Sequence, residues 1–454
     1  MSAEEVFDIE AMKQKAKVPG LKAPSWHSHY CGKIETTLKC PVSQIEDFGI
    51  WYTPGVATPC KEICDNPMKV FEYTNKANTV AVVSDGSRVL GLGNIGPEAG
   101  LPVMEGKALL FKYLGGIGAF PIMLGTEDPE EIINAVKWIA PGFGGINLED
   151  FESPKCFYIL DRLRAELDIP VWHDDQQGTA AIVLAAVLNA LKIVGKKLDE
   201  VKIAQLGIGA AGAAGVRVMI KAGVPAGNFR VVDLVDGEPQ ILTSELDLER
   251  LFPYRGEMLA KTNAEKLTGG AAEAMQNADV VISFTKPGPG TILPEWVRGM
   301  ASDAIVLVMA NPIPEIWPWE AKEAGARIVG TGRSDFPNQV NNSIGFPGIF
   351  RGTLDVFAKT ITDEMAIAAS HAIAKTAEDR GLHDEYIVPS MMDIDVFVNQ
   401  AVAVGLKAIE QGIARRILTE AELRASALEK ILHAQAETRT LMDAGHIDSP
   451  PSSG

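Results

Sequence analysis

Residues 171–183 read VWHDDQQGTAAIV, and two chemistries meet in them. Ile169-Pro170-Val171-Trp172 is a short apolar run beside a proline, which predicts a buried strand. His173, Asp174 and Asp175 crowd its carboxyl end, where open α/β sheets hold their ligands. Gly178 breaks the strand and Thr179 is placed to cap the apolar helix AAIVLAAVLNALKIV that follows. Immediately beyond, VKIAQLGIGAAGAAG opens a nucleotide-binding pattern. One segment therefore carries acidic ligands and leads the chain into a cofactor-binding unit.

Upstream of this joint, apolar runs alternate with helical sequence. TVAVVSDGSRVLGLGN reads as a strand, a turn at Asp85-Gly86 and a second strand, a hairpin signal. A helix is expected from about Gly100 to Leu114, then the strand FPIMLG, the helix DPEEIINAVKWIA, the strand GGINLEDF and the helix SPKCFYILDRLRAEL. Downstream, KIAQLG, FRVVDLV, ADVVISF, AIVLVMA and RIVGTG are strand-like, while residues 236–268 read as a surface excursion with helical pieces. Such alternation indicates parallel α/β sheets. From about Thr360 the chain reads as helical almost to SPPSSG, whose composition predicts disorder.

The bulk composition is globular, and 454 residues leave room for about two or three domains. A net charge of −17 argues against a nucleic-acid surface and leaves any anionic substrate to local cations. The five cysteines form no C-x-x-C pair, and their odd number argues against a disulfide framework. Cys60 and Cys64, four apart on one helix face, are expected to be buried structural thiols. The N-terminus lacks the apolar core of a signal peptide, and the apolar stretches are interrupted or short, so a soluble cytoplasmic protein is expected.

Gly207-x-Gly209-x-x-Gly212 follows a strand and opens a helix, the context a dinucleotide fingerprint needs. Asp233 ends the next strand, 21 residues past Gly212, where a ribose 2′-OH partner belongs. LVDGEPQ beyond it lacks Lys or Arg to meet a 2′-phosphate, so NAD is expected over NADP, with Arg230 and Arg250 as the cations that could alter this. Glu149, Asp150, Asp174 and Asp175 end two strands and, as hard oxygen ligands, suit Mg²⁺ or Mn²⁺; helix capping is the alternative for Glu149-Asp150. Lys107 shares a helical face with Val103, Leu110, Phe111 and Leu114, so it either snorkels or is buried with a depressed pKa. Asn311, Asn341 and Asn342 follow strand ends and can orient a carboxylate or hydroxyl, or simply form turns. Arg88 is a candidate carboxylate clamp or a solvated hairpin residue.

YTPGVA, VVSDG with LGLGNIG, PVMEGKALLFK, GGINLEDF, HDDQQGTA, GIGAAGAAG, ANPIPE and TGRSDFPNQVNN occur in the order seen in malic enzymes. From about residue 28 to 370 the chain resembles the compact prokaryotic-like form of that family. The resemblance implies an N-terminal malate- and metal-binding α/β domain (1–170), a doubly wound Rossmann-type NAD(P)-binding domain (171–375) and a helical C-terminal extension (376–454). It implies Tyr52 as general acid, Lys107 as general base, and Glu149, Asp150 and Asp175 as metal ligands with Asp174 beside them. Arg88, Asn311, Asn341 and Asn342 would hold malate. Gly207, Gly209, Ala210, Ala211, Gly212 and Asp233 would hold the dinucleotide, with Asn311 next to its nicotinamide. Gln177 stands where the compact form usually has His, and Arg88 is kept as in larger forms; both bear on substrate range.

The implied reaction is NAD(P)-dependent, divalent-metal-assisted oxidative decarboxylation of L-malate to pyruvate and CO₂, by a homodimer or dimer-based oligomer acting on neither nucleic acid nor membrane. Two other readings are a non-reducing malate-to-lactate decarboxylation with bound NAD, and a catalytically silent NAD-binding regulator. Intact Tyr52, Lys107 and acidic ligands argue against the silent form.

Overall fold

The computed structural model describes residues 9–451; residues 1–8 of the N-terminal arm and 452–454 of the SPPSSG tail lie outside them. After helix α1 (Ile9–Tyr30) and several short helices comes a four-stranded sheet ordered β2-β1-β3-β4. Its strands are β1 (Thr79–Ser84), β2 (Gly118–Met123), β3 (Gly145–Leu148) and β4 (Val171–His173), all parallel. Helices α2 (Pro97–Gly115), α3 (Pro129–Ile139) and α4 (Lys155–Glu166) make the crossovers.

The hairpin expected after β1 does not form. All of β1 is buried, as a run of apolar and β-branched residues suits when parallel neighbours flank both edges. Asp85-Gly86 still turns the chain: Gly86 has φ +71°, and a Cβ there would stand 2.2 Å from the Gly96 carbonyl oxygen. The following loop closes on the start of α2, with a lone bridge between Val89 and Gly93 in place of a strand.

After β4 one π-helical turn, Asp174–Gly178, leads into α5 (Thr179–Val194). The expected Thr179 cap is absent, because the preceding turn already carries the backbone into the helix. Although Asp174–Val194 is apolar and long enough to cross a membrane, it is mostly buried against neighbouring helices.

The second sheet has six strands, ordered β10-β9-β8-β5-β6-β7. They are β5 (Ile203–Leu206), β6 (Phe229–Val235), β7 (Glu238–Ile241), β8 (Val280–Ser283), β9 (Ile305–Val308) and β10 (Ile328–Thr331). Only β7, from the predicted excursion, runs antiparallel. Helix α6 (Ala210–Ala222) follows β5, and strand order reverses between β5 and β8, the usual ligand crevice of a doubly wound sheet.

Helices α7 (Phe346–Asp355), α8 (Asp363–Glu378), α9 (Ile394–Glu410) and α10 (Glu420–Asp443) close the chain. They return to the first sheet: Val80, Val82, Phe111 and Trp172 share one core with Phe350, Leu354, Val402 and Leu423. Close approach requires glycine here, since a Cβ on Gly352 would lie 2.2 Å from the Ala401 carbonyl oxygen. The division expected at 170/171 therefore falls just ahead of a strand hydrogen-bonded into the first sheet, and residues beyond 376 pack onto that same body. Cys60 and Cys64, expected to be buried, are exposed on the helix Ala57–Asp65, which buries no residue. The five cysteines are all free.

Candidate functional site

The carboxyl ends of β3 and β4 bring Glu149, Asp150, Asp174 and Asp175 together around one ammonium group. Lys107 Nζ, from α2, lies 2.9 Å from Glu149 Oε1 and 2.6 Å from Asp174 Oδ2. It also sits 4.4 Å from the Phe346 ring centre, within cation–π range. At 7% exposure the lysine is buried and does not snorkel.

Neighbouring groups hold the acids in place. Asn147 Nδ2 donates to Glu149 Oε2 at 2.8 Å, Trp172 Nε1 donates to Asp174 Oδ1 at 3.0 Å, and the Asp150 amide donates to Asp175 Oδ2 at 2.8 Å. Gly178 is obligatory, because a Cβ there would stand 1.9 Å from Asp174 Oδ1. Gln177 Oε1 accepts from the His173 amide at 3.1 Å, so its amide group braces the turn.

Electrostatics here follow from four carboxylates facing one lysine. Burial, then the Asp175 charge, pushes the Asp150 carboxyl up to about 8. Burial also raises Glu149, Asp174 and Asp175, with Lys107 pulling each of them back down. Burial by itself would lower Lys107, but Asp174 and Glu149 outweigh it and hold the ammonium protonated well above its ordinary value. The depressed lysine pKa weighed from sequence is thus reversed by the acid ring. His173, wholly buried, is pushed down to about 3 and is neutral.

These acids fit a hard divalent cation chemically: they carry excess negative charge, and Asp150 Oδ2 is buried without a hydrogen-bond partner. Among the described residues no three acidic, His or Cys side chains form a ready-made cage. Glu149 and Asp174 are engaged by Lys107, and Asp175 by the Asp150 backbone.

The rim comes from both bodies. Arg88 is exposed, its amide donates to the Asp150 carbonyl at 3.0 Å, and its charge lowers the pKa of both Asp150 and Asp175. Its loop meets Asn311 closely: a Cβ on Gly91 would lie 2.4 Å from the Asn311 carbonyl oxygen. Asn341 is engaged locally, donating to the Gly332 carbonyl and accepting from the Ser343 amide. The Asn342 side chain makes no hydrogen bond among the described residues and precedes α7, whose first residue, Phe346, covers Lys107. Tyr52 stands apart: it is 71% exposed at the end of the short helix Asp47–Trp51, and its hydroxyl is not hydrogen-bonded to the cluster.

The glycine loop after β5 has the form a pyrophosphate needs. Gly207 has φ +85°, and a Cβ on Gly212 would lie 2.1 Å from the Gly207 carbonyl oxygen. Gly209 faces open space, and α6 begins at Ala210-Ala211 with no side-chain cap, leaving its first amides for an anion. Asp233 turns inward, accepting from the Ile208 amide at 2.6 Å and the Leu234 amide at 2.7 Å.

Two residues of this region were not singled out by sequence. Glu315, wholly buried, accepts from the Thr285 and Ala310 amides, both at 3.1 Å, and so ties together the loops after β8 and β9. Its place in ANPIPE was the only available signal. Arg255 reaches back from the excursion, and its Nη1 donates to the Ile208 carbonyl at 2.6 Å. No sequence signal marked it. Arg250, considered for this place, instead lies exposed beside Asp247, and Arg230 is engaged by Glu265 and two backbone carbonyls.

The family model described as malic enzyme, N-terminal domain matches residues 31–164, and that described as malic enzyme, NAD binding domain matches 176–230 and 326–410. An NAD-dependent malic enzyme of Geobacillus stearothermophilus is 48% identical over 410 residues, 90% of this chain and 84% of that protein. A bifunctional malic/malolactic enzyme of Bacillus subtilis (strain 168) is 46% identical over 397 residues, 87% of this chain and 95% of that protein. The crystal structure of malic enzyme from Pyrococcus horikoshii Ot3 superposes with a TM-score of 0.89 at 58% identity, covering 91% of this chain and 95% of that one.

Proposed function

The chain belongs to the malic enzyme family of oxidoreductases, and on that footing we propose that it oxidises L-malate to pyruvate and CO₂ with NAD and Mg²⁺ or Mn²⁺. The observation that carries this reading is the buried Lys107 set among four carboxylates at the strand ends, in a chain that also holds an open glycine loop at the start of α6.

Lys107 is assigned to take the C2-hydroxyl proton, with Asp174 and Phe346 fixing its Nζ in position. Glu149, Asp150 and Asp175 would hold the divalent ion. Arg88 would clamp one malate carboxylate, with Asn311, Asn341 and Asn342 orienting the rest. Gly207, Gly209, Ala210, Ala211, Gly212 and Asp233 would hold the dinucleotide, with Asn311 at its nicotinamide end. Tyr52 is assigned as the acid that protonates C3 of enolpyruvate, on the strength of its YTPGVA motif. When bound, the dinucleotide would accept hydride, while the divalent ion would polarise the C2 oxygen, stabilise the enolate and offset the acid charge that holds the Lys107 proton.

Leu38, Ile45, Ile50 and Trp51 leave apolar side chains exposed in the N-terminal layer, which supports a homodimer or dimer-based oligomer as the working form. A solution mass near twice 48.7 kDa, or an even multiple of it, is expected by light scattering, and a mass near 48.7 kDa would count against it.

The test is a panel of malate, oxaloacetate and related hydroxy acids with NAD and with NADP. Malate should be the preferred substrate, and kcat/KM should be higher with NAD, because Asp233, Asp236 and Glu238 oppose a 2′-phosphate. An NADP preference would overturn the cofactor assignment, and oxidation of another hydroxy acid in preference to malate would overturn the substrate. The bifunctional relative is the specific ground for a second reading, in which malate leaves as lactate without net reduction of cofactor.

A further inference from the structure

The peptide units flanking Ile208, in the middle of the glycine loop, are gripped from two sides. The Ile208 amide donates to Asp233 Oδ2, and its carbonyl accepts from Arg255 Nη1, each at 2.6 Å. The Arg255 guanidinium lies 5.0 Å from the Phe157 ring centre of α4 and 5.4 Å from that of Phe252. It is 9% exposed, and its Nε is buried without a partner. Burial lowers its pKa while the Asp233 charge raises it, so the acid acts on this cation through space. Arg230 and Arg250 are engaged elsewhere.

We propose that Arg255 is a specificity-determining residue of the dinucleotide site, offsetting Asp233 where the adenosine ribose carries either a hydroxyl or a 2′-phosphate. This rests on the dinucleotide reading of the glycine loop. Asp233 suits a ribose hydroxyl and repels a phosphate dianion; a buried arginine bonded to the same residue, Ile208, narrows the difference between the two cofactors. Low local dielectric strengthens the effect, and the two aromatic rings hold the guanidinium against the loop. The same contact fastens the loop to α4, which starts five residues after Asp150, so cofactor discrimination is anchored on the body that bears the acids.

The experiment is binding of NADH and NADPH to the full chain, followed by nicotinamide fluorescence without malate or metal. Arg255→Met keeps the stem and loses the charge. It should weaken NADPH about tenfold more than NADH. Arg255→Lys keeps the charge and loses the fork, so its NADPH-to-NADH ratio should stay within about twofold of the parent's. Asp233→Asn should move the ratio towards NADPH, and it supplies the test if Arg255→Met does not fold. Equal weakening of both cofactors in Arg255→Met would overturn the proposal, as would an Arg255→Lys shift as large as the Met shift, or an unmoved ratio in Asp233→Asn. Failure of the parent to bind either dinucleotide would instead overturn the dinucleotide reading.

Discussion

Lys107→Ala is expected to lose roughly 10²–10⁴-fold in turnover, the usual worth of a positioned proton transfer. Among the described residues the lysine is the one cation in direct contact with Glu149 and Asp174, and the Phe346 ring packs against it. Its removal leaves two buried carboxylates with neutral donors but no cation, a change worth about 3–5 kcal/mol when the acids cannot take up protons. Thermal melting therefore belongs beside the kinetics. Lys107→Arg separates the two effects, because a guanidinium keeps the charge but does not give up its proton. That variant should fold well and still turn over slowly, and a small added amine should partly restore Lys107→Ala. Tyr52→Phe should fail differently, impairing protonation of enolpyruvate more than the hydride step. Hydrogen exchange into the pyruvate methyl group, set beside the primary deuterium isotope effect on malate oxidation, reads both. Near-normal malate oxidation by Lys107→Ala, or untouched exchange in Tyr52→Phe, would remove these assignments.

Asp175→Asn should lower activity by orders of magnitude while leaving the fold intact. Its Oδ2 accepts the Asp150 amide, a bond that an amide oxygen can keep. What the substitution removes is a negative charge from the set that would hold the ion. In the unaltered protein, excess chelator should abolish turnover, and Mg²⁺ or Mn²⁺ should restore it where Zn²⁺ does not. Full activity in chelator, or an Asp175→Asn variant as active as the parent, would contradict the metal assignment.

Features carried by local spacing were legible in the chain. The glycine fingerprint, the strand-end acids and the alternation of strands with helices all depend on neighbours a few residues apart, and each appears where expected. Features set by distant packing were not. Asp85-Gly86 is a sound turn signal, yet a strand buried on both faces takes parallel partners, so no hairpin follows. Lys107 lies on the apolar face its helix periodicity indicates, but its charge state is decided by acids 42 and 67 residues away in sequence. Arg255 reaches the glycine loop only because a whole excursion folds back, and five residues earlier Arg250 points into solvent. The closing helices look like an appendage in sequence and prove to be one wall of the first core, since helical periodicity shows which face is apolar but not what covers it.

The most direct measurement is the product balance for L-malate, NAD and Mn²⁺ with the purified protein. Pyruvate, CO₂ and reduced nicotinamide should appear in equal amounts. Lactate formed without reduced nicotinamide, or an equal rate of decarboxylation with NAD omitted, would contradict oxidative decarboxylation at this site.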